Sequence, residues 1–261
     1  MIRRPLAAAL AALAAVPAAR AQEYTAAQLD CARYHEWARS EIETETGGRV
    51  QRARAEREGW WSFRARDTAG GIALEGWYDS LALRHGSGDT LTAPDTDGIL
   101  GGRFRGLLHP TGQYQPLAAP FVPPEVAEAA DAASALDDLL PRLPPPGLAV
   151  SARWSDGAGL ELERLPDSAA SGRALWRYAL RRRAESSEAV PRGDTVPVPL
   201  RQTTLDDARI VWDPVAGLLR RVRDSRIEAT IPAGGRIRAP VRTRVLQHAE
   251  LHRLPSAGSC P

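Results

Sequence analysis

Five histidines, two cysteines and a few Asp-Thr and Gly-Ser pairs are the residues of this chain that could do chemistry. His248 and His252 stand four apart, a spacing that on a helix lets two imidazoles share one zinc ion. The zinc-protease pattern needs Glu directly after the first histidine, but Ala249 stands there and Glu250 is one place late. On a strand the two rings share a face yet lie too far apart for one ion. They therefore read as exposed strand histidines. His35, His85 and His109 have no Cys or His neighbour at ligand spacing, so no metal or cofactor site is expected.

Nucleophilic and acid chemistry fare no better. His85-Gly86-Ser87-Gly88 resembles half of a nucleophile elbow, but Gly-x-Ser-x-Gly is not matched and no helix pattern follows. Asp67-Thr68-Ala69-Gly70 has an Ala inserted into the Asp-Thr-Gly of aspartic proteases, and Asp95-Thr96-Asp97 supplies no matching second motif. Both read as turn-forming aspartates. Gly101-Gly102-Arg103-Phe104-Arg105-Gly106 lacks the Lys-Ser/Thr ending of a phosphate loop. No catalytic residue is predicted, and a hydrolase would need side chains converging from distant strands.

Binding is the better prospect. Trp37, Trp60, Trp61, Trp77, Trp154, Trp176 and Trp212 all fall on predicted strands. Large aromatics fill the inner face of a curved sheet, and the same residues can line a pocket for an apolar ligand. Trp60, Trp77, Trp154, Trp176, Tyr178 and Trp212 are the candidate pocket residues. Arginines at 181–183, 220–221, 236, 238, 242 and 244 are interleaved with acids. They read as solvated sheet surface, with a local anion-binding face as the alternative.

The elements that must position these residues begin after a leader. Met1-Ile2-Arg3-Arg4, an Ala/Leu run over 6–18 and Ala19-Arg20-Ala21 have the form of a secretory signal peptide over 1–21, cleaved before Gln22. The expected address is periplasmic or extracellular. All 34 basic residues are arginines, and three lie in the leader, which leaves 31 against 32 acidic residues. A near-neutral chain has no global field for nucleic acid. No segment is long enough to span a membrane as a helix. In an oxidising space Cys31 and Cys260 most simply form one bridge tying the ends together, against two unrelated thiols or an intermolecular link.

A short helix is predicted within 22–32. Strands then run over 34–46, 49–66 and 72–84, punctuated by Gly47-Gly48 and Gly70-Gly71, the signature of an antiparallel meander. Two more flank His109-Pro110-Thr111-Gly112. Val126, Ala130, Ala133, Leu136 and Leu140 recur at helical spacing between Pro123-Pro124 and Pro141, which predicts a helix over 124–140. A Pro-rich connector, 141–147, returns the chain to strands at 148–154, 159–165, 174–183, 200–212, 217–231 and 235–254. The fold class is mainly β: residues 22–261 form one domain, a curved antiparallel sheet or incomplete barrel with the amphipathic helix packed on it.

The stretch from Gly101-Gly102-Arg103-Phe104 through Leu143-Pro144 to Trp154, with Trp212-Asp213-Pro214-Val215-Ala216-Gly217, resembles secreted bacterial β-sheet proteins of unknown function. More distantly the chain resembles the half-barrel lipoprotein carriers of the bacterial envelope, in which a curved sheet wraps a helix and holds acyl chains. No lipobox cysteine follows the leader. The resemblance implies a fold and supplies no catalytic residues. The expected function is a non-catalytic binding protein for an apolar or lipid-like small molecule. The alternative is an envelope interaction or assembly protein, with a protein partner on an exposed sheet face or edge.

Overall fold

Side-chain alternation along the chain is realised as eleven strands, some of them unusually long. The computed structural model describes residues 22–88, 90–129, 135–137, 139–170, 172–192, 195–233 and 238–255. The proposed leader and Cys260 lie outside these residues. The strands are β1 (Arg33–Thr46), β2 (Arg49–Thr68), β3 (Gly71–Gly86), β4 (Phe104–Leu108), β5 (Tyr114–Ala118) and β6 (Arg153–Ser155). They continue with β7 (Leu160–Ala170), β8 (Arg173–Arg192), β9 (Thr195–Asp213), β10 (Gly217–Ile231) and β11 (Val241–Arg253). Two short helices, α1 (Ala26–Leu29) and α2 (Pro124–Ala129), complete the list among the described residues.

All eleven strands join one antiparallel sheet in the order β5-β4-β3-β2-β1-β11-β10-β9-β8-β7-β6. Two meanders thus run outward from the central β1–β11 pair, and the sheet stays open, with β5 and β6 at its edges. Phe104 on β4 and Leu162 on β7 share one core cluster although seven strands separate them in the sheet. The sheet must curve to bring them together.

The cluster lies on the inner face at one end of the strands, here called the proximal end. Trp61 and Phe63 on β2, Tyr78 on β3 and Phe104 on β4 form its aromatic half; ring centroids of Trp61 and Tyr78 are 3.9 Å apart. Two glycines make room. A Cβ on Gly59 would meet the Tyr78 ring at 2.8 Å, and one on Gly76 would meet the Phe63 ring at 2.8 Å. On the other half, Tyr24 packs edge-on to Trp212 at 4.9 Å and donates its hydroxyl to the Pro141 carbonyl at 2.9 Å. Both rings are almost wholly buried.

Non-strand segments plug this end. α1 starts at a capping box, in which the Gln28 amide N–H bonds the Thr25 hydroxyl oxygen and the Gln28 side chain accepts from the Thr25 N–H. Gln28 also donates to the Pro214 carbonyl, which ties α1 to the β9–β10 turn. The predicted 124–140 helix is shorter as a regular element. α2 ends at Ala129, and residues 135–137 form a turn; 130–134 and 138 lie outside the described residues. The apolar spacing nevertheless marks real burial, since Val126, Leu136 and Leu140 are all inaccessible. The predicted strand over 148–154 shrinks to β6, because Gly147 and Ser151 both take positive φ, which extended pairing does not tolerate.

Candidate functional site

Register converts the strands into rows that can be read across the sheet. On the inner face, Gly59, Glu36, Leu251, Arg221, Ile210 and Tyr178 stand side by side on β2, β1, β11, β10, β9 and β8. The next inner row is Arg57, Ala38, Ala249, Arg223, Ala208 and Leu180, and the one after it Ala55, Ser40, Gln247, Ser225, Asp206 and Arg182. These rows mark the edge of the core, where polar groups enter the inner face.

The polar groups there are tightly engaged. Glu36, 2 % exposed, accepts from Arg57 at 2.6 Å and from the Trp61 indole N–H at 3.1 Å. Burial alone would raise its carboxyl, but the Arg57 charge and the Trp61 bond outweigh burial and hold it below the ordinary range. Ser225 donates to Asp206 at 2.5 Å, and Arg223 donates to Gln247, which in turn donates to Ser40. A cleft of about 390 Å³ opens between this region and the plug. Its apolar floor includes Leu140, Leu160 and Leu180, and Arg182, Arg221 and Arg223 stand in its wall.

Beyond these three rows the inner face changes character. The next row is Ala53, Ile42, Val245, Ile227, Thr204 and Ala184, and the last is Gln51, Thr44, Thr243, Ala229, Gln202 and Ser186. Neither row carries a charge. The outer face of the same strands is a charge ladder, in which Arg52, Glu43, Arg244 and Glu228 alternate in sign along one row. Arg52 and Glu43 bond at 3.0 Å. Most of the uncharged inner side chains are only half-buried. This trough is the feature that residue-by-residue reading missed, because it exists only after six strands are in register.

The candidate pocket residues do not share one face. Trp60 and Trp77 point to the outer face: Trp60 lies against His35 at 4.7 Å, and Trp77 sits beneath the Arg103 guanidinium at 3.4 Å while donating to Asp79 at 2.9 Å. Trp154, Trp176, Tyr178 and Trp212 point inward. Trp212 and Tyr178 are buried core, whereas Trp154 and Trp176 pack partly buried on its margin, with the Arg164 guanidinium 5.0 Å above the Trp176 ring. Burial pushes the Tyr178 hydroxyl up to about 12. Trp61, outside the candidate set, is fully buried at the core centre.

The histidines have partners of their own. His248 bonds Asp224 at 2.7 Å, His252 bonds Glu250 at 2.8 Å, and His35 bonds Glu58 at 2.9 Å, all on the outer face. Among the described residues no group of three or more His, Cys, Asp or Glu side chains is arranged to hold a metal ion. Asp95 accepts from the Asp97 amide as a turn aspartate does. Cys31 is not a free thiol, and its expected partner Cys260 lies outside the described residues. Among them, too, no helix is long and apolar enough to cross a membrane.

No protein-family model and no curated protein matches the chain. Among solved structures it is similar to lipovitellin, in a structure of its lipid–protein interactions, at 13 % identity and a TM-score of 0.49. That alignment covers 89 % of this chain and 26 % of the other, so this chain spans about a quarter of its length. A domain named for outer membrane lipoprotein sorting, from Vibrio parahaemolyticus, aligns at 10 % identity over 86 % of each chain, with a TM-score of 0.17. A DUF1329 family protein from Desulfovibrio piger aligns at 10 % identity over 84 % of each, with a TM-score of 0.14. No sequence-level family stands behind the resemblance expected from the sequence.

Proposed function

We propose that this is an exported, non-catalytic binding protein that holds a lipid-like ligand on the inner face of its sheet. The observation that carries this reading is the contrast between the two faces of the distal sheet. The outer face carries charges in every row, as a solvated face should, while the inner face has two consecutive rows with no charge across six strands. A sheet face built to meet water alternates polar side chains with the core side. A half-exposed row of Ile42, Val245 and Ile227 costs solubility unless something apolar covers it. The cleft next to it falls within the size range of small-molecule sites.

Native mass spectrometry of protein exported to a periplasm tests this directly. An adduct that leaves on denaturation and solvent extraction is expected. Ile227→Glu, which sets a charge in the trough without disturbing the plug, should remove the adduct while the fold survives. An apo mass, together with no uptake of an apolar fluorophore by the wild-type protein, would overturn the reading. The denatured mass also tests the proposed Cys31–Cys260 bridge, which leaves the chain two hydrogens short.

A second reading rests on a different surface. Trp37, Leu205 and Leu246 are 36 %, 38 % and 40 % exposed on the outer face and line one shallow hollow. A protein partner docked there would fit an interaction or assembly role. Trp37→Ser with Leu246→Ser would then abolish partner capture and leave ligand uptake intact.

A further inference from the structure

Among the large apolar side chains described, the two most exposed are Leu117 at 63 % and Phe121 at 75 %. Both belong to one run, residues 116–123, Pro-Leu-Ala-Ala-Pro-Phe-Val-Pro, which has no charged or polar side chain. The run carries the chain from edge strand β5 to the start of α2. Single apolar residues scattered over a surface are ordinary. An uncharged run of this length at an open edge of the sheet marks a contact with something apolar.

The exposure of Phe121 is built by its neighbours. Gly102 lies so close to Pro120 that a Cβ there would meet the proline ring at 2.6 Å, and one on Gly98 would meet the Pro123 ring at 2.9 Å. Gly98 sits within the short turn Asp97–Ile99, which is anchored by buried Ile99, and Gly102 follows it. Val122 packs partly buried against the core. The residues on both sides of Phe121 are therefore held in, and the phenyl ring is held out. A slack loop could fold such a ring under the chain; this one is fixed with the ring outward.

The partner that such a wedge fits is a bilayer. Protein interfaces add a polar rim and regular hydrogen bonds, but Pro116, Pro120 and Pro123 bring no backbone N–H. Pro116 stands in the edge strand itself, which makes β5 a poor template for an added strand. Neither Leu117 nor Phe121 lines the cleft or the outer hollow described above, so the run offers knobs and not a socket. A bilayer demands no matching shape, and the missing N–H groups lower the cost of bringing this backbone toward it. We infer that residues 117–123 are a membrane-contact wedge, which sets Leu117 and Phe121 into the interfacial layer of a phospholipid bilayer. The wedge is independent of ligand binding in the trough.

Flotation with phosphatidylcholine vesicles tests this, with and without phosphatidylglycerol and in low and high salt. Wild-type protein should float with both vesicle types. Salt should leave binding to the zwitterionic vesicles unchanged, because the wedge carries no charge. Leu117→Ser with Phe121→Ser should weaken partitioning about tenfold or more, the worth of withdrawing one such side chain from water. Both positions are exposed, so the denaturant midpoint of this variant should match wild type. Phe121→Trp should retain binding, and Ile227→Glu should float like wild type because the trough takes no part. Three results would each overturn the wedge and leave the trough reading standing. They are no wild-type flotation, binding confined to anionic vesicles and lost in salt, and a double Ser variant that floats as well as wild type. Self-association without flotation, abolished in the double variant, would show a second copy covering the run instead.

Discussion

The proximal and distal halves of this sheet are made from the same strands and differ in what covers their inner face. In the proximal half Trp61, Phe63, Tyr178 and Trp212 share one core cluster with residues of α1 and α2 and with Leu136, Leu139, Leu140 and Leu143. In the distal half the same six central strands continue with Ala, Ile, Val, Thr, Gln and Ser inward, and none of these side chains belongs to the core cluster. Folding free energy is therefore concentrated at one end of the molecule. Under the proposed binding role the other end is the part that takes the ligand, since a surface already satisfied by the chain could not. On that proposal, a half-covered sheet separates the task of stability from the task of recognition along a single strand.

The largest expected effect tests that division. Trp61→Ala should cost about 3–5 kcal/mol, because it empties a ring site packed by Tyr78, Phe63 and Phe104. Ile227→Ala, in the trough, should cost about 1 kcal/mol or less, as for a partly exposed side chain with room to relax. Denaturant titration of both variants is the check. Equal losses would mean that the distal half contributes to the core as much as the proximal half does, and the separation would fail.

The next effect probes the boundary itself. Glu36→Gln removes the charge that Arg57 and Arg221 face, and losing one partner of a buried pair costs about 3 kcal/mol. Its pH dependence has a definite sign. The Glu36 carboxyl is held below its ordinary value of 4.5, so its stabilisation is present above 4.5 and lost as pH falls through the lowered value. Wild-type protein should therefore lose stability in acid more steeply than the Gln variant. Parallel acid limbs in thermal melts would show that the boundary pair does not couple to folding.

Much of this architecture was legible in the sequence. The Gly-Gly turns separated β1, β2 and β3 correctly, and the alternation of Trp176, Tyr178 and Leu180 assigned them to one face. What stayed hidden depends on distant pairing. Trp60 and Trp61 are adjacent, so one must face outward, but only the β1–β11 and β1–β2 registers show which. A register shift at Trp60/Trp61 against Ser80/Tyr78 then sends Trp77 outward and Tyr78 inward. That bulge has no local signature, which is why Trp77 joined the candidate pocket and Trp61 did not. The uncharged rows are hidden for the same reason. Ile42, Val245 and Ile227 are ordinary half-buried strand residues until pairing across some two hundred positions aligns them.

The smallest expected effect extends the comparison from the two halves to the two faces. His248 and Glu250 lie on the outer face, where solvent should screen each contribution to below about 1 kcal/mol. The hydrogen bond from His248 to Asp224 raises the imidazole above its ordinary 6.5, so this stabilisation is full below 6.5 and lost as pH rises through the raised value. Glu250, bonded first by His252 and also by His248 and Arg220, is held at about 2, so its contribution is present above 4.5 and lost as pH falls toward 2. Both contributions are complete only between 4.5 and 6.5. A shallow stability maximum should fall in that window, and His248→Gln should flatten its alkaline side by a degree or so in thermal melts. An alkaline slope that survives in the variant would place the titrating group elsewhere. A slope as large as the acid limb set by Glu36 would show the outer face to be as strongly coupled to folding as the buried boundary, against its exposure.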